Sequence, residues 1–395
     1  MAPGVWAMLI KQSSKGFTQL TGDVRRRVLA SQLGGFGGRR MQRIWLEAVF
    51  GALIVLVLAA LGFRAWRQAR VAAALAIRAP NGIVEEGFVR VGGIEQWVSI
   101  RGEDLANPVI VVAHGGPGSG LSPFIADITR AWERHFTVVH WDQRGAGLTF
   151  SRAKKKQGEI SLERVAEDGL EVTAHALRRT GRAKAIMLGA SWGSMVSVAM
   201  ARRRPELFHA LVGAGQVVDS TRNEAVGYQA LLARVRAAGD GRSEAALVEL
   251  GPPPWTMQQM MTERRILIGR HPPLSERGVQ SKVLIGLLTA PGLTLKQAID
   301  WFGGATFSLA ELRDALFSYS DGPPYAPLAV PFVLIQGSDD IQTPTSLAAE
   351  YLDAIAAPAK RFVSLAGGGH MAMVAMPDAF LQALLTEARP FALGA

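Results

Sequence analysis

The strongest constraint on this chain is an alternation that begins near residue 83 and runs almost to the C-terminus. Short runs at 108–113, 136–141, 185–189, 210–215, 331–337 and 361–365 are mostly apolar, and several are rich in valine. Strands buried on both faces read as continuous apolar runs of this kind. Helical periods separate them: 162–179 ends at Gly181, another helix follows residue 189 to about 203, and later ones are expected at 346–355 and 378–387. The pattern predicts a mainly parallel sheet covered by helices on both faces. Ahead of it, 87–100 reads as a hairpin turning at Gly92-Gly93.

One block breaks the alternation. From 216 to 329 the chain reads as helical, interrupted by Pro252–Pro254, Pro272-Pro273 and Pro323-Pro324. An insertion of this length between two sheet strands is expected to form a helical cap over one sheet edge. The core then consists of 83–215 and 330–395.

Before the alternating region lies a different kind of segment. Every residue from Ala48 to Phe63 is apolar, and Ile44, Trp45 and Leu46 extend the run past Glu47. Roughly 20 helical residues span a hydrocarbon core of about 30 Å, so 44–66 is expected to be a transmembrane helix. Trp45 and Trp66 sit at its ends, where indoles favour the interface. Arg64 and Trp66 follow the run directly and no small-x-small site closes it, which favours a retained anchor over a cleaved signal peptide. Residues 1–43 are expected to be a disordered basic segment, and 67–82 an alanine-rich linker with helical character.

The net charge of +10 is concentrated around this span. Lys11, Lys15, Arg25, Arg26, Arg27, Arg39, Arg40 and Arg43 precede it; Arg64, Arg67, Arg70 and Arg78 follow. Cations so placed suit lipid headgroups and argue against a nucleic-acid partner. Lys154 to Lys156 read as a solvated loop. The positive-inside rule predicts a single-pass membrane protein with its N-terminus in the cytoplasm and its folded domain on the exported side, periplasmic or extracellular. Translation from Met41 would leave only Arg43 in front and hold the domain on the cytoplasmic face.

There are no cysteines, which excludes a thiol nucleophile, disulfides and cysteine-held metals. The seven histidines show no metal-ligand spacing, and no cofactor is expected. The chemistry instead centres on Gly189-Ala190-Ser191-Trp192-Gly193, a GxSxG turn between a strand and a helix. A serine hydroxyl needs an adjacent base, and here the expected chain order is Ser, Asp, His. Gly337-Ser338-Asp339-Asp340 ends one strand and Gly368-Gly369-His370 follows the next, so Ser191, Asp340 and His370 are the candidate catalytic residues. Asp339 is the alternative acid, although it could cap the turn instead. His114 and His140 sit at strand ends and are expected to be structural; His135, His175, His209 and His271 lack catalytic context. Backbone N–H groups of Trp192, just after the nucleophile, and of the loop His114-Gly115-Gly116-Pro117-Gly118 are expected to form an oxyanion hole.

HGGPG (114–118) and WDQRGAG (141–147), joined to GASWGS (189–194), resemble the proline iminopeptidases of the α/β-hydrolase fold. The resemblance covers about 83–390, thinly in the cap. It implies Ser191 as nucleophile, Asp340 and His370 as its partners, Gly116 and Trp192 as oxyanion donors, and Asp142 and Arg144 as braces for the surrounding loops. It also implies that cap glutamates bind the α-amine of a short peptide. The first cap helix offers Glu224, with Glu244, Glu249 and Glu263 further on, and the sequence assigns none of them a place in the family's register. Gly115 and Glu224 are the candidate substrate contacts. A membrane anchor departs from the usual soluble peptidase. The competing readings are a carboxylesterase or other acyl hydrolase acting on apolar esters or amides at the membrane, and a binding protein that has kept only the fold.

Overall fold

In the computed structural model, residues 37–321 and 325–394 are described. Residues 1–36, most of the segment expected to be disordered, lie outside them.

The chain opens with one long helix, α1 (Gly37–Leu75). It begins inside the stretch expected to be disordered and runs through most of the expected linker. Alanines at 69, 72, 73 and 74 favour helix, no proline intervenes before Pro80, and Arg43 pairs with Glu47 one turn on at 2.9 Å. The part from Met41 to Leu75 is long and apolar enough to cross a membrane. Its other end is tied to the body. Arg64 donates to the carbonyl of Leu288 at 2.9 Å and Gln68 to that of Ala290 at 2.7 Å. Arg101 and Arg130 donate to the carbonyls of Leu75 and Ala74, where a helix C-terminus has unpaired acceptors.

The hairpin follows as β1 (Ile83–Val91) and β2 (Ile94–Gly102), antiparallel, with both Gly92 and Gly93 at positive φ. Two residues with φ > 0 suit the right-handed twist of the flanking strands. Next come β3 (Val109–Ala113), β4 (Thr137–Trp141), α2 (Gly147–Ala153), α3 (Leu162–Thr180), β5 (Ala185–Ala190), α4 (Trp192–Arg203) and β6 (Phe208–Ala214). A run of helices then intervenes: α5 (Ser220–Ala237), α6 (Gly241–Leu250), α7 (Met257–Gly269), α8 (Val279–Thr289), α9 (Leu295–Glu311) and α10 (Arg313–Ser318). The chain returns as β7 (Phe332–Gly337), α11 (Thr345–Ala354), β8 (Lys360–Leu365) and α12 (Pro377–Ala383).

The eight strands form one sheet in the order β1-β2-β4-β3-β5-β6-β7-β8. Pairing is parallel from β4 to β8 and antiparallel only where β2 meets β1 and β4. Every residue of β3 and β4 is buried, as expected of the unbroken apolar run of β3 and of β4, where only Thr137 and His140 are polar. Two apolar clusters, one on each face, hold the sheet to its helices.

α3 shows how sequence pattern becomes packing. The Ser161 hydroxyl accepts from the Arg164 N–H at its start, and Gly181 closes it in the left-handed conformation. Its buried face, Val165, Asp168, Val172 and Ala176, follows the helical period. Asp168 on that face is fully buried and accepts from Arg144 at 2.9 Å, Gln96 at 2.7 Å and Arg164 at 2.7 Å. A buried carboxylate is tolerable when every lone pair is met in this way.

β6 and β7 are neighbours in the sheet although α5–α10 separate them in sequence. The insertion has its own small core, in which Tyr228, Leu231, Trp255 and Leu267 pack together. It is tied down at the mouth of the sheet: Trp301 donates to the Gly120 carbonyl at 2.8 Å and Ser308 to that of Gly145 at 2.9 Å.

Candidate active site

Ser191 occupies the turn between β5 and α4 with φ 54° and ψ −121°. Lys154 is the only other non-glycine residue at positive φ among the described residues. Backbone strain of this kind costs about 1–3 kcal/mol and persists where the surroundings over-determine it. They do so here. The Ser191 N–H donates to the Ala214 carbonyl at 2.8 Å, and the Ser191 carbonyl accepts from Ser194 Oγ at 2.6 Å. A Cβ on Gly189 would come within 2.3 Å of the Gly193 oxygen, and one on Gly193 within 2.0 Å of the Ala113 oxygen. Both positions therefore require glycine, which is the physical content of the motif.

His370, in the loop after β8, places Nε2 2.9 Å from Ser191 Oγ and Nδ1 3.0 Å from Asp340 Oδ2. Asp340, in the loop after β7, is held from all sides. Its Oδ1 accepts from the N–H groups of Gln342 and Thr343, both at 2.9 Å; its Oδ2 also accepts from Thr343 Oγ1 at 2.7 Å and Gln336 Nε2 at 2.9 Å. Asp339 is exposed, and its carboxylate accepts from the Ser338 hydroxyl at 2.9 Å. The structure thus brings Ser191, His370 and Asp340 together and turns Asp339 away.

Gly115 and Gly116 lie across from Ser191 in the loop after β3, and Trp192 is the first residue of α4. A helix's first N–H has no acceptor within the helix, so that of Trp192 is available to a ligand oxygen. Gln143 links the two halves of this arrangement. Its Nε2 donates to the His114 carbonyl at 3.0 Å and its Oε1 accepts from Trp192 Nε1 at 2.9 Å. Burial holds the His114 imidazole below its ordinary pKa. The neutral ring can donate through Nδ1 to the Gly115 carbonyl at 2.8 Å and accept the Gln143 N–H at Nε2 at 3.1 Å. Asp142 accepts from Ser122 Oγ at 2.6 Å and from the Leu148 N–H at 2.8 Å, and Arg144 pairs with Asp168. Both brace loops at a distance from the reacting groups. His140 is buried and bonded to Thr129 at 2.7 Å.

Two cavities meet at Ser191. The smaller, about 120 Å³, is lined by Gly116, Trp192, Glu224, Arg264 and Thr343. The larger, about 390 Å³ and mostly apolar, carries Gly115, His370, Met373 and Phe380 in its wall and extends to Arg67 and Val71 of α1.

The cap glutamates part ways. Glu244 pairs with Arg236 near the surface at 2.7 Å, and Glu249 is exposed. Glu224 and Glu263 both bond Arg264, Glu224 at 2.5 Å. Burial pushes the Glu263 carboxyl above its usual range. Among the described residues no group of three or more His, Asp and Glu side chains is placed to hold a metal ion.

Sequence reasoning missed several of these contacts. Thr343 and Gln336 had a signal, the first three residues beyond Asp340 and the second a polar residue in an otherwise apolar strand. Glu276 had none: this cap residue accepts the Met371 N–H from 95 positions away and supports the His370 loop.

Residues 108–250 match the α/β-hydrolase fold family. The chain is 28% identical over 305 residues to the probable aminopeptidase YbaC of Bacillus subtilis, covering 76% of this chain and 94% of the relative. Among solved structures it resembles the proline iminopeptidase of Mycobacterium smegmatis, with TM-score 0.51, 20% identity and 78% and 99% of the two chains covered. It likewise resembles a bacterial membrane phospholipase A, with TM-score 0.55, 17% identity and 90% and 98% covered; at these identities both likenesses speak to the fold alone. Sheet order, site placement and relatives make this chain a hydrolase of the α/β-hydrolase fold. Within that fold it is similar to proteins named as aminopeptidases and, over 134 residues at 33% identity, to the proline iminopeptidase of Neisseria gonorrhoeae.

Proposed function

We propose that the chain cleaves amide bonds by acyl transfer through Ser191, as an aminopeptidase of the proline iminopeptidase type acting on short peptides. The observation that carries this reading is the hydrogen-bonded line from Asp340 through His370 to Ser191 Oγ. His370 Nε2 takes the hydroxyl proton as Oγ attacks the carbonyl, and Asp340 stabilises the resulting imidazolium. The N–H groups of Gly116 and Trp192 receive the oxyanion. Collapse passes the proton from His370 to the leaving amine and leaves an acyl-enzyme. Water then attacks with His370 again as base and releases the acid.

The smaller cavity suits a small N-terminal residue, with Glu224 as the acceptor for its α-ammonium group. The relative named as an aminopeptidase supports this choice. A second reading, a carboxylesterase or other acyl hydrolase, is favoured by one observation. Arg264 already bonds Glu224, and burial drives Glu263 toward its neutral form, which weakens the site as an ammonium receptor. Comparing a proline arylamide with its N-acetyl derivative separates the two. An aminopeptidase is expected to lose about 100-fold in kcat/KM on acetylation, because a half-buried carboxylate loses its partner. Equal rates would overturn the aminopeptidase in favour of the acyl hydrolase.

The apolar helix is proposed as a single-pass anchor with the hydrolase body on the exported side, supported by the eight cations ahead of the run against four behind it. External protease is expected to degrade the body in intact spheroplasts; protection until lysis would reverse the orientation.

A further inference from the structure

The larger cavity ends in an unusual place. Its walls run from Ser191 and His370 to Arg67 and Val71, which belong to α1, the helix that carries the apolar run. We propose that this cavity takes the leaving group of the substrate as a long hydrocarbon chain, drawn from the bilayer between α1 and α8; the inference rests on acyl transfer through Ser191.

The leaving group must receive its proton from His370 Nε2. His370 and the residues after it, Met371 to Val374, line the larger cavity, whereas the smaller is lined by Trp192 and Thr343 and lacks His370. The released group therefore lies on the α1 side, and the small acyl group on the Glu224 side. The walls of the larger cavity fit an apolar chain: Phe124, Val283, Met373, Val374 and Phe380 contribute to them.

Depth supports the route. The apolar run ends at Phe63, and Arg67 and Val71 lie four and eight residues beyond it. At about 1.5 Å per residue they stand roughly 6 and 12 Å past the hydrocarbon boundary. The headgroup layer on each side is roughly 5–8 Å thick, so Arg67 falls within that layer and Val71 a few ångströms beyond it, and a chain entering here crosses the headgroup layer. The bonds of Arg64 and Gln68 to the carbonyls of Leu288 and Ala290 fix α1 against α8 and so fix this height.

The rim has matching chemistry. On α8, Leu284, Ile285 and Leu288 are 41, 49 and 40% exposed beside α1, and Ile285 also lines the cavity. Arg67 and Lys282 place two cations in the same wall against one acid, Asp127, which leaves it net positive where anionic headgroups would meet it. Apolar residues at the interface with cations beside them form a surface that can sit on a membrane.

The test uses the full chain in vesicles of phosphatidylcholine and phosphatidylglycerol, with N-butyl and N-dodecyl prolinamide and the matching alkyl acetates. Each methylene favours the bilayer by roughly fourfold, so dodecyl substrates leave the water almost completely. If substrate arrives through the bilayer, the dodecyl-to-butyl ratio of kcat/KM, in bulk concentrations, is expected to be about tenfold or more. The ratio should fall toward one in Val71→Glu and partly in the milder Val71→Gln, with fluorophosphonate labelling of Ser191 reporting that each variant is folded. A ratio below one in the unaltered chain, or one that neither variant changes, overturns the inference. A high ratio for acetates with no amide turnover supports it and sinks only the aminopeptidase reading. Turnover that survives Ser191→Ala removes the acyl-transfer reading itself.

Discussion

Replacing Ser191 with alanine is expected to abolish turnover while leaving the fold unchanged. The substitution removes Oγ, the atom 2.9 Å from His370 Nε2, and nothing else. The backbone bonds that hold the turn, from the Ser191 N–H to Ala214 and from Ser194 to the Ser191 carbonyl, do not involve the side chain. Alanine meets the positive φ at much the same cost as serine, so the strain stays as it was. Loss of a nucleophile in a site of this type costs up to roughly 10⁶-fold in kcat. The measurement pairs aryl-substrate turnover with fluorophosphonate labelling and a melting curve on the full-length chain. His370→Ala is expected to be nearly as severe, and the double variant no worse than either alone, because base and nucleophile act as one unit. A Ser191→Ala protein that still labels and still turns over would show that another residue is the nucleophile.

The parts of this arrangement that were legible in the sequence are those governed by local rules. Parallel strands buried on both faces are mostly apolar, so β3, β4 and β5 announce themselves within a residue or two. The hairpin is readable because two consecutive glycines supply the two positive φ values, and α3 because Ser161 and Gly181 mark its ends. The order of Ser191, Asp340 and His370 is readable because each follows a strand on the same sheet edge. The remainder depends on contacts between distant residues. Arg264 reaches Glu224 across 40 positions, and no local pattern says that a cap arginine will occupy a glutamate the resemblance would give to substrate. Nor does the composition of α1 reveal that Arg67 and Val71 line a cavity ending at Ser191. That follows from how the helix docks against α8. At its C-terminal end α1 runs on through the alanine-rich stretch for which helical character is expected, whereas its start at Gly37 falls in a basic stretch that carries no apolar period to mark a helix.

The choice between neighbouring aspartates makes the sharpest single test of the site. Asp340→Asn is expected to lower kcat by about 10⁴-fold, and Asp339→Asn to change it little. The reason lies in the donors around Asp340. Its Oδ2 accepts from His370, Thr343 and Gln336, and its Oδ1 from two backbone N–H groups. Asparagine has one acceptor oxygen and one NH₂. With NH₂ toward His370 it faces the imidazole Nδ1–H and the Gln336 amide, and the ring must shift its proton to Nε2. That nitrogen then carries a hydrogen where it has to accept one from Ser191. With NH₂ on the other side it faces the N–H groups of Gln342 and Thr343, and the loop must move. Either orientation also removes the negative charge that stabilises the imidazolium. Asp339 is exposed and bonded to Ser338, so its substitution disturbs neither the ring nor the charge beside it. The readout is kcat for both variants, with fluorophosphonate labelling rate as a measure of serine reactivity independent of substrate binding. Full loss at Asp339 with activity kept at Asp340 would transfer the role to Asp339.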